Sequence, residues 1–148
     1  MRIDSILVVD NVSVFFPKRV GRKVLNVRAV DQVSFSISSA ETFGLVGESG
    51  SGKSTAGNAA IGLQTLTAGN VFYRGLPIPA RRDPKWREMR RQLQIVFQDP
   101  YSSLNPRRII AQALTEPLAL HKLVKPSEYT DEVERLLKLV GLPPEVAK

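Results

Sequence analysis

A glycine-rich segment that ends in Lys-Ser-Thr carries the most specific chemistry in the sequence. Residues 47–55, GESGSGKST, fill every position of the pattern G-x-x-x-x-G-K-[ST], the P-loop. Glycine lets the backbone turn tightly and approach an anion without a Cβ in the way. Backbone amides at the start of a helix then cradle phosphate groups. The predicted phosphate-binding residues are Gly47, Ser49, Gly50, Ser51, Gly52, Lys53, Ser54 and Thr55.

Two side chains of the P-loop have separate expected roles. Lys53 is predicted to reach the β- and γ-phosphates as a point charge. The Ser54 hydroxyl is placed to bind Mg²⁺. The expected ligands are therefore ATP and Mg²⁺. A chance glycine-rich turn is disfavoured, because an apolar segment precedes the motif and a helical segment follows it.

A second candidate segment is IVFQDPYSSLNPR, residues 95–107. In it a predicted buried strand ends at Gln98 and a turn follows. A neutral amide there could reach the magnesium ion or its water and sense a γ-phosphate. From the residues alone, a glutamine that caps a turn explains the position equally well.

Short apolar and alternating segments indicate the elements that position these residues. Strands are predicted at residues 3–16, 30–37, 42–46, 70–74 and 93–97, with a loop at 17–28. Helices are predicted from Lys53 to about Gln64 and over 84–91, 109–120 and 128–140. Val133, Leu136, Leu137 and Val140 fall on one face of the last helix, and Gly141 ends it. The chain is thus strand-rich over 1–97 and helical over 98–148.

Composition limits the remaining possibilities. The 148 residues are 43% hydrophobic and 24% charged, which suits a single globular domain. The sequence has no cysteine, which excludes disulfides and thiolate metal sites and fits a reducing cytosol. No apolar run approaches the roughly 20 residues of a spanning helix, and the N-terminus does not resemble a signal peptide. The net charge of +7 is partly concentrated in residues 81–91. No nucleic-acid motif accompanies that segment, which favours a solvated helix face over a nucleic-acid or acidic-membrane patch.

The two motifs together resemble the ATP-binding subunits of ABC transporters. GLVGESGSGKST at 44–55 and IVFQDPYSSLNPR at 95–107 are most similar to the oligopeptide/dipeptide importer subfamily. The segment RAVDQVSFSI at 28–37 is similar to the strand that precedes the P-loop there. The resemblance covers residues from about 6 to 148. Related branches import nickel, glutathione or peptide antibiotics, so the transported solute stays open.

The resemblance implies an α/β fold of the P-loop NTPase type found in ABC ATP-binding domains. An N-terminal antiparallel β region would precede the P-loop core, and a helical subdomain would begin after residue 97. Gln98 would be the glutamine that contacts magnesium and links the site to the membrane subunits, with Lys53 and Gln98 as the catalytic residues. Phe16 would stack on adenine, although a core aromatic is the alternative and Phe15 lies next to it.

The implied partners are transmembrane permease subunits and a second ATP-binding subunit, with no nucleic acid. The implied location is the cytoplasmic face of the inner membrane, as a peripheral subunit. Closure of the pair around two ATP molecules would drive transport of peptides or related solutes, and hydrolysis would reset the pair.

The sequence also departs from the family pattern. Ala40 stands before Glu41, where the family usually has glycine. The LSGGQ signature, the Walker B strand and the switch histidine do not occur. Ile6-Leu7-Val8-Val9-Asp10 mimics a Walker B strand, but it precedes the P-loop and is interpreted as the first strand. The chain is interpreted as the first part of a subunit, and by itself it is expected to bind ATP weakly and to lack useful ATPase activity.

Two other functions compete with an importer subunit. One is a non-catalytic nucleotide-binding module. The other is a different P-loop NTPase, such as a kinase or a GTPase, although the Asn-Lys-x-Asp base-reading motif of GTPases is absent from the sequence.

Overall fold

A computed structural model describes residues 4–99 and 104–148. The chain divides into two compact units, Met1–Arg87 and Glu88–Lys148. The strands are β1 (Ser5–Val20), β2 (Lys23–Ser38), β3 (Ala68–Tyr73) and β4 (Leu76–Pro77). The helices are α1 (Lys53–Ala60), α2 (Pro84–Gln92), α3 (Ile110–Leu120) and α4 (Tyr129–Leu139), with 3₁₀ turns at Pro126–Glu128 and Pro144–Ala147. No helix in the described ranges is long and apolar enough to cross a membrane.

The first unit is built on one antiparallel sheet with the strand order β2-β1-β3-β4. Val9, Val12 and Val14 of β1 are at most 3% exposed, and they form the centre of its core. The alanines of α1 pack against this sheet, because small side chains let the helix approach closely. The interpretation of residues 6–10 as the first strand, rather than as a Walker B strand, is confirmed.

The predicted loop at residues 17–28 is wrong. β1 and β2 stay paired from Phe15↔Arg28 to Val20↔Lys23, so they form one long hairpin. Gly21 has φ +60° and is the first of two turn residues, the position at which a type II′ hairpin turn requires glycine. Proline and basic residues suggested a loop here, but the alternating apolar residues on both sides of the turn support a strand ladder.

The predicted strands at 42–46 and 93–97 are also absent. Neither segment has regular secondary structure, and Val46 and Val96 are 92% and 96% exposed. A strand requires a neighbour that accepts and donates its ladder hydrogen bonds. The sheet pairs only β1 to β4 within the described residues, so these two apolar segments lack such a neighbour there.

Helix α1 ends at Ala60 rather than near Gln64. Gly62 has φ +71° and donates to the Ala59 carbonyl at 3.0 Å, while Leu63 donates to the Asn58 carbonyl at 2.7 Å. These two bonds form a Schellman motif, which terminates a helix at a left-handed glycine. A Cβ at position 62 would lie 2.7 Å from Ile78, so the site also requires glycine for packing.

The second unit has its own small core, in which Leu118 of α3 packs with Val133 and Leu137 of α4. The helices predicted at 109–120 and 128–140 are confirmed within a residue or two. Gly141, with φ +76°, ends α4 as predicted. Val140 does not belong to the packed face, because it is 67% exposed beyond the end of the helix.

The turn after β2 contains Ala40, the alanine that stands before Glu41. Glu41 donates its N–H to the Ser38 carbonyl at 3.3 Å, and Ala40 between them has φ +58°. Left-handed backbone costs an L-residue about 1–2 kcal/mol, which glycine avoids. Alanine therefore occupies a position that favours glycine.

We expect Ala40→Gly to raise the free energy of unfolding by about 0.5–1 kcal/mol. Relief of left-handed strain outweighs the larger entropy that glycine gives the unfolded chain, which is worth about 0.4–1 kcal/mol. Urea unfolding measures the change. Ala113→Gly within α3 is the control and should lower the free energy of unfolding by about 1 kcal/mol. A loss of stability in both variants would contradict the strained turn.

Candidate nucleotide-phosphate site

The P-loop, residues 47–55, joins the end of the irregular segment 42–46 to helix α1. The helix begins at Lys53 as predicted, and Ala56 donates the first helical hydrogen bond to the Gly52 carbonyl at 2.8 Å. Residues 47–51 are exposed, so the loop is open to a ligand. Gly52 fits against β2 so closely that a Cβ there would lie 2.0 Å from the Ala29 carbonyl oxygen.

The first turn of α1 carries no side-chain cap. Gly52 occupies the N-cap position in left-handed backbone, with φ 91° and ψ 4°, and it offers no side-chain acceptor. The first amides of a helix have no partner within the helix, and together with its dipole they attract an anion. This helix N-terminus therefore suits a phosphate group in place of a cap.

The Lys53 ammonium lies within the P-loop. Its Nζ donates to the carbonyls of Gly47 at 2.8 Å and Glu48 at 2.5 Å, and to Ser51 Oγ at 3.3 Å. A lysine ammonium has three donors, so the loop occupies all of them. The sequence predicted the lysine but could not show that loop carbonyls hold its charge at the loop opening. A phosphate that binds the Lys53 ammonium would therefore replace one or more of these loop contacts.

The Ser54 hydroxyl is exposed and has no hydrogen-bond partner in the described part of the chain. Magnesium is commonly bound by one or two protein groups together with substrate phosphates. Residues 4–99 and 104–148 contain no cluster of three or more His, Asp or Glu that could hold a metal alone. A free hydroxyl beside a phosphate cradle fits a magnesium ion that is shared with a bound nucleotide.

The two neighbouring phenylalanines differ in their surroundings. Phe15 is half-buried, and the Arg28 guanidinium lies 5.5 Å from the centre of its ring. Phe16 is 39% exposed and pairs with Val27 on β2. Val27 lies two residues from Ala29, a distance of about 7 Å along a strand, and the Ala29 carbonyl abuts the P-loop. Phe16 is thus an exposed ring on β1, beside the strand β2 that contacts Gly52.

Gln98 belongs to the second unit, whereas the P-loop and Phe16 belong to the first. Gln98 is exposed and follows the irregular segment 93–97. Residues 100–103 of the same motif lie outside the described residues. Asn105 stabilises the next turn by accepting the Arg107 amide on its side-chain oxygen at 3.0 Å. A contact between Gln98 and magnesium stays a prediction.

Residues 30–147 match a family model described as ABC transporter. The chain belongs to the ABC transporter family. It is 44% identical to the oligopeptide transport ATP-binding protein AppF of Bacillus subtilis, over 97% of this chain and 45% of that protein. It is 42% identical to the glutathione import ATP-binding protein GsiA of Escherichia coli O157:H7, over 97% of this chain and 24% of that protein. The chain therefore spans less than half the length of these relatives.

A solved ABC cassette has the same fold. The dimeric cassette MJ0796, in a post-hydrolysis state bound to ADP and Pi, superposes with a TM-score of 0.73. The match covers 95% of this chain and 60% of that cassette at 24% identity. The predicted α/β fold class of the ABC ATP-binding domain is thereby confirmed, and so is the resemblance inferred from the two sequence motifs.

Proposed function

We propose that this ABC family chain binds Mg·ATP through its P-loop and belongs to the energy-coupling subunit of an importer for peptides or related small solutes. The observation that carries the proposal is the uncapped start of α1, together with the Lys53 ammonium that the carbonyls of Gly47 and Glu48 bind at 2.8 and 2.5 Å. Within the described residues, no side chain caps the first turn of α1 and no carboxylate pairs with Lys53. A triphosphate supplies the missing negative charge.

The P-loop residues have distinct proposed roles toward the nucleotide. The amides from Gly50 to Thr55 bind the phosphates, and Lys53 neutralises the charge on the transferred phosphoryl group. Ser54 supplies one oxygen ligand to Mg²⁺, and Gln98 contacts the same ion and responds to the γ-phosphate. The ion, when bound, stabilises charge on the β- and γ-phosphates.

The names of the relatives support the importer branch. AppF is an oligopeptide transport protein and GsiA a glutathione import protein, so peptides and peptide-like solutes are the proposed cargo. The proposed partners are transmembrane permease subunits and a second ATP-binding subunit, on the cytoplasmic face of the inner membrane. The dimeric state of the solved cassette agrees with the second partner. We further propose that residues 98–148 form the helical subdomain that meets the permease.

Calorimetric titration of the 148-residue chain with Mg·ATP and with Mg·tripolyphosphate tests the nucleotide site. Both ligands should bind, because the P-loop contacts phosphates. Phe16→Ala should weaken the affinity for ATP by about 5- to 160-fold, since base–aromatic stacking is worth about 1–3 kcal/mol. The same substitution should leave tripolyphosphate unchanged, since that ligand has no base.

Phe15→Ala is the matched control, because Phe15 is half-buried beneath Arg28. It should change the affinities for the two ligands equally. Equal losses with Phe16→Ala would instead assign Phe16 to the core. Failure of both ligands to bind the unmodified chain would contradict the proposed nucleotide site.

A further inference from the structure

The long hairpin formed by β1 and β2 extends beyond the sheet. The last pair between β1 and β3 is Ser13↔Ala68, whereas β1 and β2 remain paired to Val20↔Lys23. Residues 15–28, here named the hairpin arm, therefore form a two-stranded ribbon with no third strand beside it in the described part of the chain. Every residue of the arm except Phe15 is exposed.

The hairpin arm is strongly cationic. Residues 11–30 contain five basic side chains and no acidic one. The five are Lys18, Arg19, Arg22, Lys23 and Arg28. The first four surround the turn, and among residues 15–28 only Arg28 has an ion-pair partner, Asp31 at 3.0 Å. The end of the arm thus carries a charge of +4 that no neighbouring carboxylate offsets within the described residues.

One face of the hairpin arm combines this charge with apolar side chains. Opposed residues of an antiparallel pair share a face, and alternate residues along a strand return to it. Lys18 therefore shares a face with Leu25, and Val20 shares it with Lys23. Val20 and Leu25 are 52% and 53% exposed, and Phe16 and Val27 continue the same face toward the sheet. The face is apolar along its length and has a lysine on each strand.

We propose that the hairpin arm binds the surface of an anionic lipid bilayer, with this face against the headgroups. Apolar side chains enter the headgroup boundary, while lysine stems lie along it and keep their ammonium groups near lipid phosphates. Each basic residue near an anionic bilayer contributes about 1 kcal/mol, which is about a fivefold gain in binding. This inference concerns residues 18–25 at the turn end of the arm, beyond Phe16, and it does not rest on nucleotide binding.

Other occupants fit the arm less well. Pro17 cannot donate a ladder hydrogen bond, and it lies in the strand edge that an added peptide strand would use. Charged residues along an edge also disfavour pairing with another strand. Single-stranded nucleic acid binds on successive exposed aromatic rings, whereas the exposed residues of the arm include one aromatic, Phe16, at its base. Mixed aliphatic and basic side chains suit a lipid surface.

Vesicle co-sedimentation of the 148-residue chain tests the proposal, with phosphatidylglycerol mixed into phosphatidylcholine and with phosphatidylcholine alone. We expect binding to the anionic vesicles that weakens as salt is added. Lys18→Glu/Lys23→Glu should reduce binding at least about 25-fold, the product of two fivefold losses. Val20→Ser/Leu25→Ser keeps the charge and should reduce binding about tenfold through lost apolar burial.

Two controls separate the arm from general attraction to a basic protein. Lys85→Glu/Arg87→Glu makes the same charge change on exposed residues of α2 and should leave most of the binding. Lys53→Ala should bind vesicles normally, so failure of the nucleotide site would not affect this result. Equal losses from the α2 and arm charge reversals would overturn the proposal, as would vesicle binding that the Val20→Ser/Leu25→Ser variant retains in full.

Discussion

Lys53→Ala is expected to lower the affinity for Mg·ATP by at least about 100-fold, or about 2.7 kcal/mol. A hydrogen bond to a charged group contributes about 1.5–3 kcal/mol, and this ammonium is predicted to exchange its loop contacts for two phosphates. Lys53 is the cation that the P-loop itself holds, through Gly47 and Glu48. Its removal leaves the amides of α1 without the positive charge that helps them bind a triphosphate. Calorimetry with Mg·ATP measures the loss.

Lys85→Ala is the control for Lys53→Ala. It removes the same group from an exposed site in the first turn of α2, where the Lys85 backbone amide donates to Asp83 and the side chain is not involved. It should change the Mg·ATP affinity of the chain by less than about twofold, as expected for a surface substitution. Circular dichroism should show both variants folded. Unchanged Mg·ATP affinity in Lys53→Ala would refute the P-loop assignment.

The P-loop could be predicted from sequence because its geometry is local. The motif occupies nine consecutive positions, with glycines at fixed spacing, a lysine and a hydroxyl residue after it. The helix starts at Lys53, as the pattern predicts. The same holds for the end of α4, where Gly141 supplies the left-handed backbone of the C-terminal stop. A motif whose own residues determine its backbone conformation can be predicted without knowledge of the rest of the fold.

Features that depend on distant residues were predicted less well. Residues 42–46 and 93–97 have the apolar character of buried strands, but a strand forms only where a partner supplies hydrogen bonds. Composition around Pro17 and Gly21 indicated a loop, whereas cross-strand pairs from Phe15↔Arg28 to Val20↔Lys23 make a hairpin that the composition of either strand alone does not show. No local signal could show that the Ala29 carbonyl lies against Gly52, because that contact depends on the register of β2.

The close approach of the Ala29 carbonyl to Gly52 predicts a second substitution with a large effect. Gly52→Ala is expected to lower the free energy of unfolding by about 3 kcal/mol and to reduce Mg·ATP affinity as strongly as Lys53→Ala. A Cβ at position 52 would lie 2.0 Å from the Ala29 oxygen, closer than real Cβ atoms come, and φ is +91°. Overpacking costs about 1–3 kcal/mol, and left-handed strain adds about 1–2 kcal/mol. Relief of the clash requires the loop to move away from β2, which displaces the amides that would hold phosphate.

Two neighbouring glycines provide a graded comparison for Gly52→Ala. Gly50 has φ +80°, but a Cβ there would meet nothing within 4 Å, so Gly50→Ala should cost only the strain of about 1–2 kcal/mol. Gly57 lies inside α1, and a Cβ there would meet nothing within 4 Å. Gly57→Ala should therefore raise the free energy of unfolding by up to about 1 kcal/mol. Urea unfolding should therefore rank the variants Gly57→Ala, Gly50→Ala and Gly52→Ala in falling stability. Equal stability of the last two would show that β2 does not support the P-loop at Ala29, because a Cβ would meet the Ala29 carbonyl at Gly52 and nothing within 4 Å at Gly50.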